Sequence, residues 1–256
     1  MNGKRPLILV TNDDGYTAAG ICALMRTAQL YGDVVVVAPD GPRSGAACSI
    51  TTQVPVYVRP VCEEPGLTVF ACTGRPADCV KLALECCVSR RPDLLLSGIN
   101  HGSNASVNIH YSGTMGAVLE GCMKGIPSVG FSLDTVNHAP DFAPLERAVK
   151  KVIGYVLAEG LPQDVCLNVN FPERDVIRGL RVVRMGRGAW GNEWQSADHP
   201  RGGTYYWLTG SYTDLEPEAQ DTDIRAMADG YGAVTPVRVD MTAHEALRAF
   251  KGMEDV

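Results

Sequence analysis

The chain has 256 residues, a net charge of −6, and 45% hydrophobic against 20% charged residues. This is the balance of a soluble globular protein, with length for one large α/β domain or two small ones. The negative charge excludes broad, sequence-independent binding of nucleic acid, though not a small phosphorylated substrate, because a local cation reverses the field of an acidic protein.

Leu7-Ile8-Leu9-Val10 reads as a strand buried on both faces, and Thr11-Asn12-Asp13-Asp14-Gly15 ends it in a turn. Ile21, Leu24, Met25 and Ala28 recur at helical spacing, with Gly32 as the stop. Asp33 to Ala38 is a second buried strand, and strand–helix–strand implies a right-handed crossover in a parallel sheet. A Gly/Pro-rich loop through Arg43-Ser44-Gly45 follows. Val54 to Val58 and Leu67 to Ala71 are expected to form a hairpin or an excursion from the sheet. Pro76 suits a helix first turn, and Val80, Ala83, Leu84 and Cys87 give that helix an apolar face. Asp93 to Ser97 is a third buried strand, ending in Gly98-Ile99-Asn100-His101-Gly102.

The next helix is expected from Gly113 to Lys124, capped by Ser112, with a buried stripe at Met115, Val118, Leu119 and Cys122. Pro127 to Ser132 reads as a strand, Leu145 to Val156 as a long helix stopped at Gly160, and Val165 to Asn170 as the last strand of the main sheet. Beyond Pro172 the texture changes to short β-like segments: Leu180 to Arg184, Thr204 to Leu208 and Ala233 to Val237. Residues 185–203 show no helical period and read as a long excursion. Thr242 and Glu245 fit a capping box for a closing helix through Leu247 and Phe250. The reading is an α/β fold, a Rossmann-like and mostly parallel sheet flanked by helices. It is expected as one domain with an irregular, β-rich C-terminal extension.

No apolar run approaches membrane-spanning length, and the short run after Lys4-Arg5 is not expected to be a signal peptide. The nine cysteines are odd in number and include no CxxC pair, so they read as reduced thiols, not a disulfide framework. The expectation is a cytoplasmic protein.

Four segments carry candidate chemistry. Asp13 and Asp14 leave the first strand, where an open α/β sheet binds ligands. They are either two ligands of one cation or an N-terminal cap pair for the next helix. Ser44, beside Gly45, offers a hydroxyl to a hard cation or a loop to a phosphate, and it equally suits an ordinary loop. Asn100 leaves another parallel strand on the same sheet edge and can offer an amide oxygen, although asparagine is common in turns. Two carboxylates, a hydroxyl and an amide form an all-oxygen set suited to Mg²⁺, Mn²⁺ or Ca²⁺ and unsuited to structural zinc. Ser112, Gly113 and Thr114 begin a helix, where free N–H groups and the dipole favour a phosphate. The five histidines lack metal-ligand spacing; His101 and His110 flank the candidate site. Trp190, Trp194, Tyr205, Tyr206 and Trp207 can stack on a base, pack in the core or line a subunit interface.

With these segments placed, the chain resembles the SurE (survival protein E) family of metal-dependent 5′/3′-nucleotidases. The matching stretches are TNDDG at 11–15, APDGPRSGAACSIT at 38–51, TGRPADCVKLAL at 73–84, PDLLLSGINHGSN at 92–104, YSGTMGAVLEG at 111–121, GIPSVGFS at 125–132 and LNVNFP at 167–172. Weaker agreement follows at 205–210 and 221–236. The resemblance implies one divalent ion, held by Asp13, Asp14, Ser44 and Asn100. It implies hydrolysis of nucleoside 5′- and 3′-monophosphates, and of short polyphosphate in many members. Asp13 or Asp14 is the candidate for handling the proton, and Asn12 and Asn104 join Ser112, Gly113 and Thr114 as candidate substrate contacts. Residues 1–172 are the expected core with the active site, and 173–256 the extension, which the resemblance implies builds a homodimer or homotetramer. Neither a specific nucleic acid nor a membrane is an expected partner. The chain departs from the pattern at Ser106, where glycine is expected, at Gly232 to Pro236, and over 185–203. A haloacid-dehalogenase phosphatase would want DxDxT after its first strand, and a Walker-type ATPase a GxxxxGK[ST] loop; neither is present.

Overall fold

A computed structural model describes residues 5–254. Strand β1 (Leu7–Thr11) leads to helix α1 (Ala19–Ala28) and β2 (Asp33–Pro39), followed by β3 (Val58–Glu64), β4 (Leu67–Cys72) and α2 (Pro76–Leu82). Then come β5 (Leu94–His101), α3 (Gly113–Met123), β6 (Ser128–Asp134), α4 (Glu146–Glu159) and β7 (Val165–Pro172). The remainder is β8 (Leu180–Val182), β9 (Gly188–Gly191), β10 (Trp194–Asp198), β11 (Thr204–Leu208), β12 (Ser211–Asp214), α5 (Asp223–Ala228) and β13 (Gly232–Arg238). Nine strands form one sheet in the order β3-β4-β2-β1-β5-β6-β7-β13-β8. From β4 to β7 every neighbour is parallel. The fold is therefore α/β and Rossmann-like, as expected.

The strand alternation explains why both faces are covered. Ile8 and Val10 face one core with Leu94, Leu96, Val34 and Val36, against α1 and α4 residues such as Leu24 and Ile153. Leu9, Leu95 and Val37 face the other core, against Val80 of α2 and Met115 and Val118 of α3. Successive side chains point to opposite faces, so an unbroken apolar run is what a strand needs when helices lie on both sides.

Several expectations are corrected. The first arm of the hairpin is Val58–Glu64, displaced from Val54 to Val58, and its partner β4 is a full member of the sheet, parallel to β2. Helix α2 continues into a π-helical turn at Ala83–Cys87. Helix α3 has no single buried stripe: every residue from Gly113 to Cys122 is buried. The loop over residues 44–50 covers its outer side, and a Cβ on Gly116 would lie only 2.1 Å from the Ala47 carbonyl oxygen. β7 is not the last strand of the sheet, because β13 pairs antiparallel with it and β8 adds beyond β13. The closing segment, His244–Met253, is a 3-10 helix with Ala243 at its cap position and no side-chain cap. The expected capping box is absent; Asp240 instead accepts from the Thr242 backbone N–H and meets His244 Nε2 at 2.7 Å.

Candidate metal and phosphate site

The sheet order reverses between β1 and β5: successive connections run outward through β2 and β4 on one side and through β6 and β7 on the other. The crevice outside the carboxyl ends of two such strands is where open α/β sheets bind ligands. Asp13 and Asp14 leave β1 there, and Asn100 lies near the end of β5. Between Ser97 and Asn100 the β5–β6 register shifts, and the Gly98–Ile99 peptide is cis.

The cap reading of the aspartates fails. Helix α1 starts at Ala19 with Ala18 at its cap position and no side-chain cap bond. Asn12 shapes the turn instead: its Nδ2 donates to the Gly15 carbonyl at 2.9 Å, and its Oδ1 accepts from the Gly15 N–H at 3.2 Å. Asn12 is fully buried and braces the turn; it does not line the cavity.

Asp13 is only 5% exposed. Thr114 Oγ1 donates to its Oδ1 at 2.6 Å, and the Arg43 N–H donates to its backbone carbonyl at 2.7 Å. Gly113 makes the room: a Cβ there would lie 2.8 Å from Asp13 Cβ and 2.9 Å from Oδ2. Burial pushes the Asp13 carboxyl up to about 6; the Thr114 hydrogen bond opposes this and the charge of Asp14 adds to it. Burial also raises Asp14, opposed by the His101 backbone N–H, which donates to Asp14 Oδ2 at 3.1 Å. Among the described residues no lysine or arginine pairs with either carboxylate. Arg43, beside Ser44, is turned to Asp40 at 2.9 Å. A buried carboxylate beside a second, half-buried one, with no lysine or arginine partner among the described residues, is a costly arrangement that a cation relieves. The donor set agrees. No group of three or more His, Cys, Asp or Glu side chains gathers among the described residues, so a cation here would draw on carboxylates with neutral oxygens, the ligands of a hard ion.

Asp13, Ser44, Asn100, Ser112 and Asn104 all line one open cavity of about 620 Å³. Ser44 is exposed on its loop. Asn100 donates Nδ2 to the Gly102 carbonyl at 2.9 Å, which leaves Oδ1 as its available end. Ser112 caps α3, accepting from the Met115 N–H at 3.0 Å. Thr114 is fully buried and away from the cavity, its hydroxyl committed to Asp13. Of the two flanking histidines, His101 lines the cavity and its Nε2 lies 2.7 Å from the Asn137 carbonyl oxygen, whereas His110 is exposed outside it.

Sequence reasoning missed a buried amide network behind Asn104. The Asn104 N–H donates to Asn170 Oδ1 and Nδ2 to Ser132 Oγ, both at 2.8 Å, while Asn168 Nδ2 donates to the Asn104 carbonyl at 2.8 Å and Asn170 Nδ2 to Asn168 Oδ1 at 2.9 Å. The signal was available in LNVNFP, where two asparagines at alternate strand positions share one face. Asp223, completely buried, was missed too. It accepts from the Ser106 N–H at 2.8 Å and from the Gly186 and Ile224 N–H groups at 2.9 Å each. Ser106 sits at φ +52° and donates its hydroxyl to the Gly186 carbonyl at 2.9 Å. This accounts for a serine at a left-handed position otherwise suited to glycine.

A family model described as Survival protein SurE matches residues 8–192. The chain belongs to the SurE family. Among curated SurE relatives, a "5′-nucleotidase SurE" of Phocaeicola vulgatus is 51% identical over 251 residues, covering 98% of each chain. One of Bacteroides thetaiotaomicron is 48% identical, covering 98% of this chain and 97% of the relative. The crystal structure of a SurE protein from Aquifex aeolicus superposes with a TM-score of 0.84 at 36% identity, covering 98% of this chain and all of the other. SurE membership implies a divalent metal, and a nucleotidase acts on a small-molecule nucleotide.

Proposed function

We propose that this chain is a divalent-metal-dependent nucleotidase that hydrolyses nucleoside 5′- and 3′-monophosphates, with Mg²⁺ or Mn²⁺ as its ion. The observation that carries the reading is Asp13, buried beside Asp14 at the sheet's switch point with no lysine or arginine partner among the described residues. Asp13 and Asp14 would hold the ion with Ser44 and Asn100. When bound, such an ion polarises a phosphoryl group and lowers the pKa of water. Thr114 and Gly113 fix the Asp13 carboxylate, and the His101 N–H fixes Asp14. One of these two carboxylates takes the proton of the attacking water. The start of α3, at Ser112 and Gly113, favours the anionic phosphate through its dipole and helps stabilise charge as the ester bond breaks. Because both carboxylates would be committed to the ion, water is the nucleophile in this scheme, and neither aspartate forms a phosphoenzyme.

The test is phosphate release from a panel of nucleoside 5′- and 3′-monophosphates and short polyphosphate, with EDTA and then with Mg²⁺ or Mn²⁺. Hydrolysis that persists in EDTA refutes the scheme, and a trapped aspartyl-phosphate refutes the water step.

The same reading extends to assembly. Residues 1–256 would form one unit, and the β10–β11 ribbon, with Trp194, Tyr206 and Trp207 each 63–65% exposed, would join it into a homodimer or homotetramer. Sedimentation tests this; a monomer at micromolar concentration refutes it. All nine cysteines are free, which suits the reducing cytoplasm, and no helix of the described residues is long and apolar enough to cross a membrane.

A further inference from the structure

Resting on the nucleotidase reading, we propose that Trp190 stacks on the base of the substrate, that Asn108 positions Trp190, and that the site consequently prefers purine to pyrimidine nucleotides. The cavity wall carries two chemically distinct sets of residues. Asp13, Ser44 and Ser112 are where a cation and a phosphate belong; Trp190, Tyr111 and Leu208 are aromatic and apolar. No lysine or arginine lines it among the described residues, so the substrate's binding energy beyond its phosphate has to come from stacking and from neutral or acidic hydrogen-bonding groups.

Trp190 is held for such a task. Its indole Nε1 donates to Asn108 Oδ1 at 2.8 Å, and its ring meets Tyr212 nearly edge-on, with centroids 5.9 Å apart and planes at 71°. It nevertheless remains 39% exposed, on the cavity wall. Asn108 lies in the 3-10 turn Ser106–Tyr111, which runs directly into Ser112 and α3. The segment that delivers the α3 N-terminus therefore also fixes the tryptophan, setting phosphate and base at a constant separation. A ring held on two sides loses little further freedom when a base lands on it. A bicyclic purine covers more of an indole than a pyrimidine does, and stacking scales with that overlap. Glu193, also on the wall, offers a carboxylate to an exocyclic amine of the base.

The experiment measures KM and kcat for AMP, GMP, CMP and UMP, with p-nitrophenyl phosphate as an ester lacking a base, at saturating Mn²⁺. Trp190→Ala should raise the KM for AMP by about tenfold, the size of a lost base–aromatic stack, and the KM for UMP by clearly less. Trp190→Phe, which keeps an aromatic ring, should recover much of that loss. Asn108→Ala should shift KM in the same direction while kcat changes little, and Asn108→Asp, which keeps the acceptor for the indole N–H, should restore it. AMP should quench tryptophan fluorescence in the parent and in Trp194→Phe but not in Trp190→Phe. An unchanged KM for AMP in Trp190→Ala, or an equal rise for AMP and UMP, overturns the proposal. Absence of phosphate release from any nucleotide by the parent would overturn the nucleotidase reading instead, and the AMP quench at Trp190 would still decide the stacking.

Discussion

Gly113→Ala is the sharpest probe of how the proposed metal site is built. The added Cβ would lie 2.8 Å from Asp13 Cβ and 2.9 Å from Asp13 Oδ2, well inside van der Waals contact. Asp13 has little room to retreat. Its backbone carbonyl is held by the Arg43 N–H at 2.7 Å and its carboxylate by Thr114 Oγ1 at 2.6 Å. Overpacking of this kind costs about 1–3 kcal/mol. If Asp13 relieves the clash by giving up Thr114, the lost hydrogen bond to a buried carboxylate costs a similar ~1.5–3 kcal/mol. Alanine in place of glycine returns at most about 1 kcal/mol of helix propensity, and less at the first helical position. The net expectation is destabilisation by about 1–2 kcal/mol, read as a lower urea midpoint with unchanged m-value in EDTA. Activity should fall further than stability, by about a hundredfold, because a misplaced group near the reacting atoms is penalised steeply. A Gly113→Ala protein as stable as its parent and turning over normally would refute the reasoning.

Asp14→Ala should lower kcat/KM more than tenfold, a barrier increase above about 1.4 kcal/mol, with an unchanged circular dichroism spectrum; near-normal turnover would remove Asp14 from the site. Thr114→Val, nearly isosteric, should cost about 1.5–3 kcal/mol in urea melts and weaken Mn²⁺ binding in a titration, since the hydroxyl fixes the Asp13 carboxylate; equal Mn²⁺ affinity would count against that role. Asp223→Asn replaces an acceptor-only group facing three N–H donors and should destabilise by more than about 2 kcal/mol; a neutral effect on the urea midpoint would show the network to be dispensable. Ser106→Gly exchanges the hydrogen bond to Gly186 for relief at φ +52°, so its unfolding free energy in urea melts should change by less than about 1 kcal/mol, and a larger loss would mean the hydroxyl contributes more than one such bond.

The parallel sheet was legible because its strands are runs such as Leu7 to Val10 and Leu94 to Leu96, and only burial on two faces explains unbroken apolar residues at strand length. The helices α1 and α4 were legible from spacing, and α3 and α4 from stops at Gly125 and Gly160, both at positive φ. What sequence could not reach was pairing between distant segments. β7 looked like an end because the chain after Pro172 turns polar, yet β13 returns some sixty residues later to lie beside it, a non-local partnership that no local pattern encodes. The capping box at Thr242 misled for a different reason: Asp240 competes for the same backbone groups, and local side-chain bonds of that sort override a helix signal. In the candidate site, residue types pointed to Asp13, Ser44, Asn100 and Ser112, which line one cavity, because each ends or follows a strand or starts a helix on one sheet edge. Thr114 was read as a phosphate contact because a hydroxyl at a helix start reads that way; only the structure shows it facing Asp13.

The second half of the chain has a physical reason to join the sheet. The loop between β5 and α3 carries Asn104, Asn108 and the approach to Ser112, and a loop left to itself would hold none of them still. Its backbone is tied instead to Asn168 and Asn170 on β7 and to Asp223 at the start of α5. Both ties are buried, where an unmet polar group costs far more than at the surface, so the loop has one arrangement in which every partner is satisfied. β13 closes the open edge of β7 and, packing with α5, keeps water from competing for those asparagines. The proposed metal ligands at the ends of β1 and β5 thus come from the first half of the chain, while the rigidity of the loop that would present the phosphate and the base comes from the second.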